Sequence, residues 1–380
     1  MSRPARRIIY LSGTRADFGL LRSTLQRIAA TDGLSLQILV TGMHLSQAHG
    51  ATVDEIRASG LPVCAELPLD MDTRSAGSMA NCIADCLRGV TAVLEKERPD
   101  LLLVLGDRGE MLAGAIAALH LGIPCVHIHG GERSGTVDEP VRHAISKLSS
   151  YHLVATSGSR QRLVAMGEEP ARIHVTGAPG LDDIIAAPPQ SRAECLAALG
   201  LAPDARFVLA VFHPVVQQAA DASAQTQALL QGLAAVGLPV VWLAPNADAG
   251  SLGVLGALDA GSLPAGLRRV THLPRPLFIA AMRHCEVLAG NSSAGIIEAA
   301  SFGTPVVNVG DRQRLRERNG NVVDVPPQAA AIENAVRAVL GHGRGPCDNV
   351  YGDGTAGERI TALLARLPLD AAVLEKVNTY

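Results

Sequence analysis

Short, unbroken apolar runs alternate along this chain with longer stretches in which apolar residues recur every three or four positions. In the first half the short runs are 8–11, 36–40, 101–105, 125–128, 152–155 and 173–176. They are too brief and too uniformly apolar for amphipathic helices, and read as strands buried on both faces. Helical spacing fills the intervals at 18–30, 79–96, 110–121, 139–148 and 159–166. Strands separated by helices imply right-handed βαβ crossovers and a parallel sheet. The pattern pauses over 178–203, where Pro179, Pro188 and Pro189 precede a short helix, as a connection between domains would. A second series follows, with strands at 208–212, 240–243, 270–273, 287–289 and 306–309 and helices at 226–236, from 293 onward, and at 330–340. A Gln/Ala-rich patch at 217–228 is expected to be a mobile loop leading into a helix, and a last helical pattern at 356–367 to pack back on the first domain.

The predicted fold class is therefore α/β: a Rossmann-like domain over 1–180, a second over 181–355, and a C-terminal helical segment over 356–380. At 380 residues the chain exceeds the size at which one hydrophobic core stops growing, which agrees with two domains. Hydrophobic residues make up 48% and aromatics only 3%, so the cores are aliphatic. A formal net charge of -3 supplies no general basic field, so nucleic acid is excluded as a partner and any anion site must be local. No apolar run is long enough to cross a bilayer, and the N-terminal apolar run is too short for a signal segment, so a cytoplasmic protein without a membrane partner is expected. The seven Cys form no C-x-x-C pair and are expected to be free thiols without a metal or redox role.

In open parallel sheets, ligands lie beyond the carboxyl ends of the strands, so the loops there are where chemistry is sought. After the first strand comes Ser12-Gly13-Thr14-Arg15-Ala16-Asp17-Phe18-Gly19, which offers a tight turn, free helix N-terminal amides and the Arg15 charge, a combination suited to a diphosphate. A plain turn with Asp17 as a cap would use the same residues. Gly106-Asp107-Arg108-Gly109-Glu110 follows the strand at 101–105; Asp107 is placed there either as an acid, base or hydroxyl acceptor, or as a helix cap. Between His127 and Glu139 the chain packs two His, three carboxylates, an Arg and three Gly, a density that a mere linker does not need. Strand alternation puts His127 and His129 on one side, but with only His143 as a possible third ligand no metal is expected; His129 is read as site lining and His127 as a hydrogen-bonded structural residue.

The second half delivers His213-Pro214 at one strand end and Pro245-Asn246-Ala247-Asp248 at the next. Gly290-Asn291-Ser292-Ser293-Ala294-Gly295-Ile296-Ile297-Glu298 then opens an apolar helix, where small hydroxyl residues let a diphosphate approach the amides and Glu298 can accept ribose hydroxyls. Gly310-Asp311-Arg312-Gln313-Arg314, with Arg316 and Arg318 behind it, is a basic run in which Arg312 can clamp phosphate.

Taken in order, Thr14-Arg15-Ala16-Asp17, Gly106-Asp107-Arg108, His127-Ile128-His129-Gly130-Gly131-Glu132, Arg142-His143-Ala144-Ile145-Ser146-Lys147, His213-Pro214, Asn291-Ser292-Ser293 through Glu298, and Gly310-Asp311-Arg312-Gln313 form a specific series. The chain resembles the hydrolysing UDP-N-acetylglucosamine 2-epimerases of bacterial sialic and legionaminic acid synthesis, over about 8–325. That resemblance implies a GT-B architecture, in which two Rossmann-like domains close on a nucleotide-sugar substrate, no cofactor and no metal; a homo-oligomer, dimer or tetramer, is expected. It further implies that Arg15, Ala16, Arg108, His213, Asn246, Ser292, Ser293, Glu298 and Arg312 hold the nucleotide diphosphate, and that Asp107 and Asp138 occupy acid/base positions. Where some relatives carry a catalytic Glu this chain has His129, with Glu132 three residues on, so Asp107, His129, Glu132 and Asp138 form the candidate proton-transfer set.

The reaction so implied removes the C2 proton, expels the nucleoside diphosphate to leave a 2-acetamidoglucal, and adds water. It needs a base near C2 and positive charge on the departing diphosphate. A GT-B glycosyltransferase would share the nucleotide pocket but pass the sugar to an acceptor; a non-hydrolysing epimerase would keep the nucleotide attached; an inactive nucleotide-sugar sensor would need no acid/base groups. The sequence leaves open UDP against GDP, and N-acetylglucosamine against a 4-acetamido-6-deoxy sugar, a choice that turns on one or two pocket contacts.

Overall fold

The computed structural model describes all residues except 1–4, 48–49, 72–74, 136, 187–189, 247, 261–262, 347 and 380. The first half runs β1 (Arg6–Ser12), α1 (Arg15–Ala29), β2 (Leu34–Thr41), α2 (Val53–Ala58), β3 (Val63–Leu67) and α3 (Ala76–Glu97). It continues with β4 (Leu101–Leu105), α4 (Gly109–His120), β5 (Cys125–Ile128), α5 (Asp138–Leu148), β6 (Tyr151–Val154), α6 (Ser157–Ala165) and β7 (Ile173–Val175). After α7 (Asp182–Ala186) and α8 (Arg192–Ala198) come β8 (Val208–Val211), α9 (Ala222–Val236), β9 (Val240–Leu243), α10 (Ser251–Ala260), β10 (Arg268–Val270) and α11 (Arg275–His284). The chain ends with β11 (Val287–Gly290), α12 (Ser293–Ile297), β12 (Val306–Val309), β13 (Val322–Val325), α13 (Ala329–His342) and α14 (Ala356–Arg366).

Two parallel sheets result, with strand orders β3-β2-β1-β4-β5-β6-β7 and β10-β9-β8-β11-β12-β13. Each strand feeds two hydrophobic layers because successive side chains point to opposite faces. Ile8 and Tyr10 of β1 enter a core with α1, whereas Ile9 and Leu11 enter another with α3 and α4. In β8, Val208 and Ala210 pack with α9 and α13, while Leu209 and Val211 pack with α8 and α11. Each Val, Leu or Ile so buried contributes roughly 1.5–3 kcal/mol. Among the described residues, no helix is long and apolar enough to cross a membrane.

Both sheets reverse their winding once, between β1 and β4 in the first and between β8 and β11 in the second. At such a reversal the two following loops diverge and leave a crevice at the carboxyl ends of the strands. The loops 12–17 and 106–109 flank one crevice, and 212–215 and 291–293 the other, so the fold turns two strand orders into two facing half-sites.

The C-terminal segment crosses back. Ala356, Ile360, Leu363 and Leu364 of α14 join the core beneath α1, and the Asp182 carboxylate accepts from the amides of Ala356 (3.0 Å) and Gly357 (2.5 Å), satisfying two donors that helix geometry leaves free. Beyond it, the Lys376 ammonium donates to the carbonyls of Ser146 (2.9 Å), Lys147 (2.9 Å) and Ser149 (2.8 Å), closing the C-terminal end of α5.

Three expectations need correction. The edge strand predicted at 270–273 is shifted to Arg268–Val270, where Arg268 pairs with Val241; Leu273 is buried from the following loop instead. The stretch 217–228 is not a loop: a 3-10 turn spans Val216–Asp221 and α9 begins at Ala222. The helix opening at Ser293 is only five residues long before it tightens into a 3-10 turn at Ala299–Phe302. Pro188, Pro189 and Cys347 lie outside the described residues; the other six Cys are free thiols.

Candidate active site

The two crevices open into one cleft of about 590 Å³ between the sheets. Arg15, Ala16, Asp107, Arg108, His129, Glu132 and Asp138 line it from the first domain, and His213, Asn246, Ser292, Ser293, Glu298 and Arg312 from the second. The structure thus brings together every candidate residue named from the sequence.

Asp17 shapes the loop after β1. Its carboxylate accepts from Tyr10 Oη (2.9 Å), the Thr14 amide (2.7 Å) and the Gly13 amide (3.1 Å), while Thr14 Oγ1 accepts from the Asp17 amide to close a capping box on α1. Asp17 is thereby consumed in building the turn, and Arg15 is the group it presents: Arg15 Nη1 reaches across to the Thr271 carbonyl of the second domain at 2.8 Å.

The carboxylates meet around a buried guanidinium. Arg142, 1% exposed, pairs with Asp107 and donates to the Glu132 carbonyl at 3.0 Å. Burial alone would raise the Asp107 pKa, but Arg142, Arg316, Arg312 and Arg108 together outweigh it and hold the group below the ordinary range. Asp138 is pushed the other way, first by burial and then by the Asp107 charge, with Arg312 at 3.6 Å opposing. Two neighbouring carboxyls driven apart are what a base and an acid working in one site require.

His129 and Glu132 are coupled to each other. β5 ends at Ile128, and His129 takes a left-handed backbone (φ 65°), which is costly for a residue with a Cβ and turns its ring into the cleft. Its Nδ1 bonds Glu132, whose other oxygen pairs with Arg316 from the second domain. Burial, then the Arg316 and Arg142 charges, push the His129 pKa down to about 3, so the ring is neutral. Glu132 is a clamp between His129 and Arg316, and the donor to it fixes the proton on Nδ1 and leaves the Nε2 lone pair free of that bond.

The expectation that His127 and His129 share one side ends with the strand. His127 is fully buried, with Nδ1 3.0 Å from Ser146 Oγ and Nε2 2.7 Å from the Gly106 carbonyl, a hydrogen-bonded structural residue next to the Asp107 loop. His143 faces Glu139 at 3.6 Å. Among the described residues, no cluster of three metal-ligating side chains forms.

In the second domain, Asn291 locks the loop after β8: its side chain exchanges two 2.8 Å hydrogen bonds with the His213 backbone. The Asn246 amide donates to His213 Nδ1 at 3.1 Å, which places the proton on Nε2. Burial above all lowers the His213 pKa to about 3, so this group is a neutral donor. Gly290 makes the approach possible: a Cβ there would lie 2.1 Å from the Val211 carbonyl oxygen. Ser292 caps the short α12, and Arg312 Nη1 and Gln313 Nε2 both donate to the Asn291 carbonyl, at 3.3 and 3.1 Å. A five-residue helix has a weak dipole, so charge for an anion here must come mainly from Arg312 and Arg15. Glu298, 3% exposed, pairs with Arg275 at 2.6 Å, and burial raises its pKa. Arg108 Nη1 meets Asp248 at 3.0 Å across the cleft.

Several of these partners carried no assigned role in the sequence. Arg142 stands four residues after Asp138, a spacing that puts both on one helix face, and that signal was available. Asp248 and Arg316 sit inside quoted motifs, yet their partners lie in the other domain. Arg275, and the Glu55–His272 pair that bridges the domains, offered no local signal.

Comparison with known proteins agrees with this geometry. The UDP-N-acetylglucosamine 2-epimerase family matches residues 26–365. A UDP-N,N'-diacetylbacillosamine 2-epimerase (hydrolyzing) of Legionella pneumophila is 47% identical over 375 residues, covering 99% of this chain and 100% of that protein. A GDP/UDP-N,N'-diacetylbacillosamine 2-epimerase (hydrolyzing) of Campylobacter jejuni is 31% identical, covering 84% of each. In three dimensions the fold matches a Methanocaldococcus jannaschii UDP-GlcNAc 2-epimerase in complex with UDP-GlcNAc and UDP, with TM-score 0.78 at 19% identity, covering 94% of this chain and 99% of that one. Two Rossmann-like domains in the GT-B arrangement, and a sequence matched along nearly its whole length, place this chain in the UDP-N-acetylglucosamine 2-epimerase family, among its hydrolysing members and as an enzyme acting on a nucleotide sugar.

Proposed function

We propose that the chain hydrolyses UDP-N,N'-diacetylbacillosamine, a sugar with acetamido groups at C2 and C4 and a methyl group at C6, to UDP and the free C2 epimer. The full-length likeness to the Legionella enzyme supports the substrate. The observation that carries the reaction is the Asp107–Asp138 pair, driven to opposite protonation tendencies beside a cluster of arginines in the cleft.

In this reading Arg15, Arg312, the Ser292 and Ser293 backbone and His213 Nε2–H hold the diphosphate, with Ala16, Arg108 and Asn246 completing the nucleotide cradle and Glu298 receiving the ribose. The C1–O bond breaks with its electron pair leaving on UDP, where guanidinium charge stabilises it. Asp107 takes the C2 proton, and the C2–H electrons form the C1=C2 bond of a glucal. A carboxylate held at depressed pKa is a weak base, so deprotonation follows departure of UDP instead of leading it. Asp138 returns a proton to C2 on the opposite face, and water adds its oxygen at C1 and gives its surplus proton to the carboxylate that Asp138 has become, while the proton on Asp107 passes to solvent. His129 orders that water through the Nε2 lone pair while Glu132 holds the ring. The freed epimer suits nonulosonic acid synthesis of the legionaminic type, the protein acts in the cytoplasm, and it assembles as a homo-oligomer.

The test is NMR of turnover in deuterated water with UDP-N,N'-diacetylbacillosamine, its GDP counterpart and UDP-N-acetylglucosamine. Free sugar inverted at C2 and carrying one deuteron there, with UDP released, is expected. An epimer still attached to nucleotide, or sugar released only when an acceptor alcohol is added, contradicts the reading.

A further inference from the structure

The two ends of the cleft differ in chemistry. Arginines crowd the side where the diphosphate belongs, whereas Met71, Met79, Ile83, Val137 and Val141 of the first domain give the lining a mainly apolar stretch, broken by Asp70 and Ser78. Ile83 abuts the first residue of α4, since a Cβ on Gly109 would lie 2.5 Å from its Cγ1; this wall therefore stands two residues from Asp107. Val137 adjoins Asp138, and Val141 follows it by three residues on α5.

Outer packing of α3 would account for Ile83, which also touches the core under β4. It does not account for Met71 and Met79. Both are half-buried, and neither belongs to any of the buried clusters formed by the described residues. Met71 Sδ lies 3.7 Å from Cys82 Sγ, so a small sulfur-rich surface faces the cleft and not the protein interior. Thioethers are adaptable apolar surface, suited to a ligand's methyl groups.

Resting on the reading of this cleft as a UDP-sugar site, we propose that the Met71–Met79–Ile83 wall selects the sugar by contact with methyl groups at its far side. C4 is the ring atom opposite C1. With the diphosphate held mainly by Arg312, His213 and the Ser292–Ser293 backbone of the second domain, and C2 at the carboxylate pair, the substituents on C4 and C5 project toward the first-domain wall. The methyl of the C4 acetamido group and the C6 methyl lie against the thioethers and Ile83, whereas the C4 and C6 hydroxyls of N-acetylglucosamine gain nothing from that apolar surface and exchange water for the few polar groups of the same lining, Asp70 and Ser78. Apolar pockets discriminate against an added hydroxyl only modestly, so a preference of roughly 10–100-fold in kcat/KM is expected.

The experiment compares wild type, Met79→Gln, Met71→Gln and Met79→Leu on UDP-N,N'-diacetylbacillosamine and UDP-N-acetylglucosamine, with UDP affinity measured in parallel. Wild type should favour the diacetamido sugar. The two Gln variants should cut that ratio roughly five- to tenfold, mainly through KM for the diacetamido sugar, and Met79→Leu should preserve it. UDP affinity should stay within twofold throughout. A wild-type ratio of one or less, or a ratio unmoved in both Gln variants, overturns the wall and leaves the hydrolytic reaction standing. Release of UDP from neither sugar by wild type overturns the epimerase reading and the wall with it.

Discussion

Asp107 and Asp138 reach the cleft from different elements, one at the end of β4 and the other at the start of α5, and Arg142, four residues after Asp138, pairs with Asp107. Arg142 is one of the arginines that lower Asp107, while burial and the Asp107 charge itself raise Asp138. Asp107→Asn removes the proton acceptor but leaves the second-domain cradle intact. Turnover should fall by roughly 10²–10⁴-fold with UDP affinity within a few-fold, as read by steady-state kinetics and calorimetry; loss of UDP binding would show that Asp107 serves chiefly to hold Arg142. The pH dependence follows with definite sign. Activity is lost at low pH as Asp107 protonates below the ordinary carboxylate range, and at higher pH as Asp138 gives up its proton above it. In Asp138→Asn the alkaline loss should vanish from the kcat profile while the acid limb stays.

At the scale of elements, α5 is held at both ends: Asp138 and Arg142 sit near its start, and Lys376 closes its end. Lys376 also pairs with Glu168, which bonds His152 at 2.8 Å and Lys147 at 2.8 Å. Burial alone would raise the Glu168 pKa, yet these partners hold it at about 2, against an ordinary 4.5. A depressed carboxylate stabilises the fold above its unfolded value and ceases to as pH falls through the folded one. That window, about 4.5 down to about 2, should carry on the order of 3 kcal/mol. Urea midpoints measured across it should slope in wild type and be flatter in Glu168→Gln, which should also be less stable at neutral pH. This cluster was not legible in the sequence, because its four members come from the end of α5, the loop after α6, a strand and the C-terminal tail. By contrast β1, β4, β8 and β12 were plain, since a strand buried on both faces must be an apolar run. The edge strands β3 and β13 were missed for the converse reason: Glu66 and Asp324 interrupt the run where one side meets water.

For the whole molecule, what was legible was the loops and their order, because chemistry concentrated at strand ends cannot be mistaken for core packing. What was not legible was how the halves meet. Arg316 on Glu132, Arg108 on Asp248, Arg15 on the Thr271 carbonyl and Glu317 on both Thr156 and Arg162 all join residues more than 130 positions apart. No periodicity encodes such pairs. They nevertheless decide the site, since they hold the winding reversals of the two sheets face to face. The most direct test of the central claim is a crystal structure with UDP and a non-reactive sugar analogue bound. The account predicts the diphosphate within hydrogen-bonding distance of Ser293 and Arg312, with C2 of the sugar against Asp107 and Asp138. A nucleotide seated outside the cleft, or a sugar ring turned so that C2 faces away from both carboxyls, would contradict it.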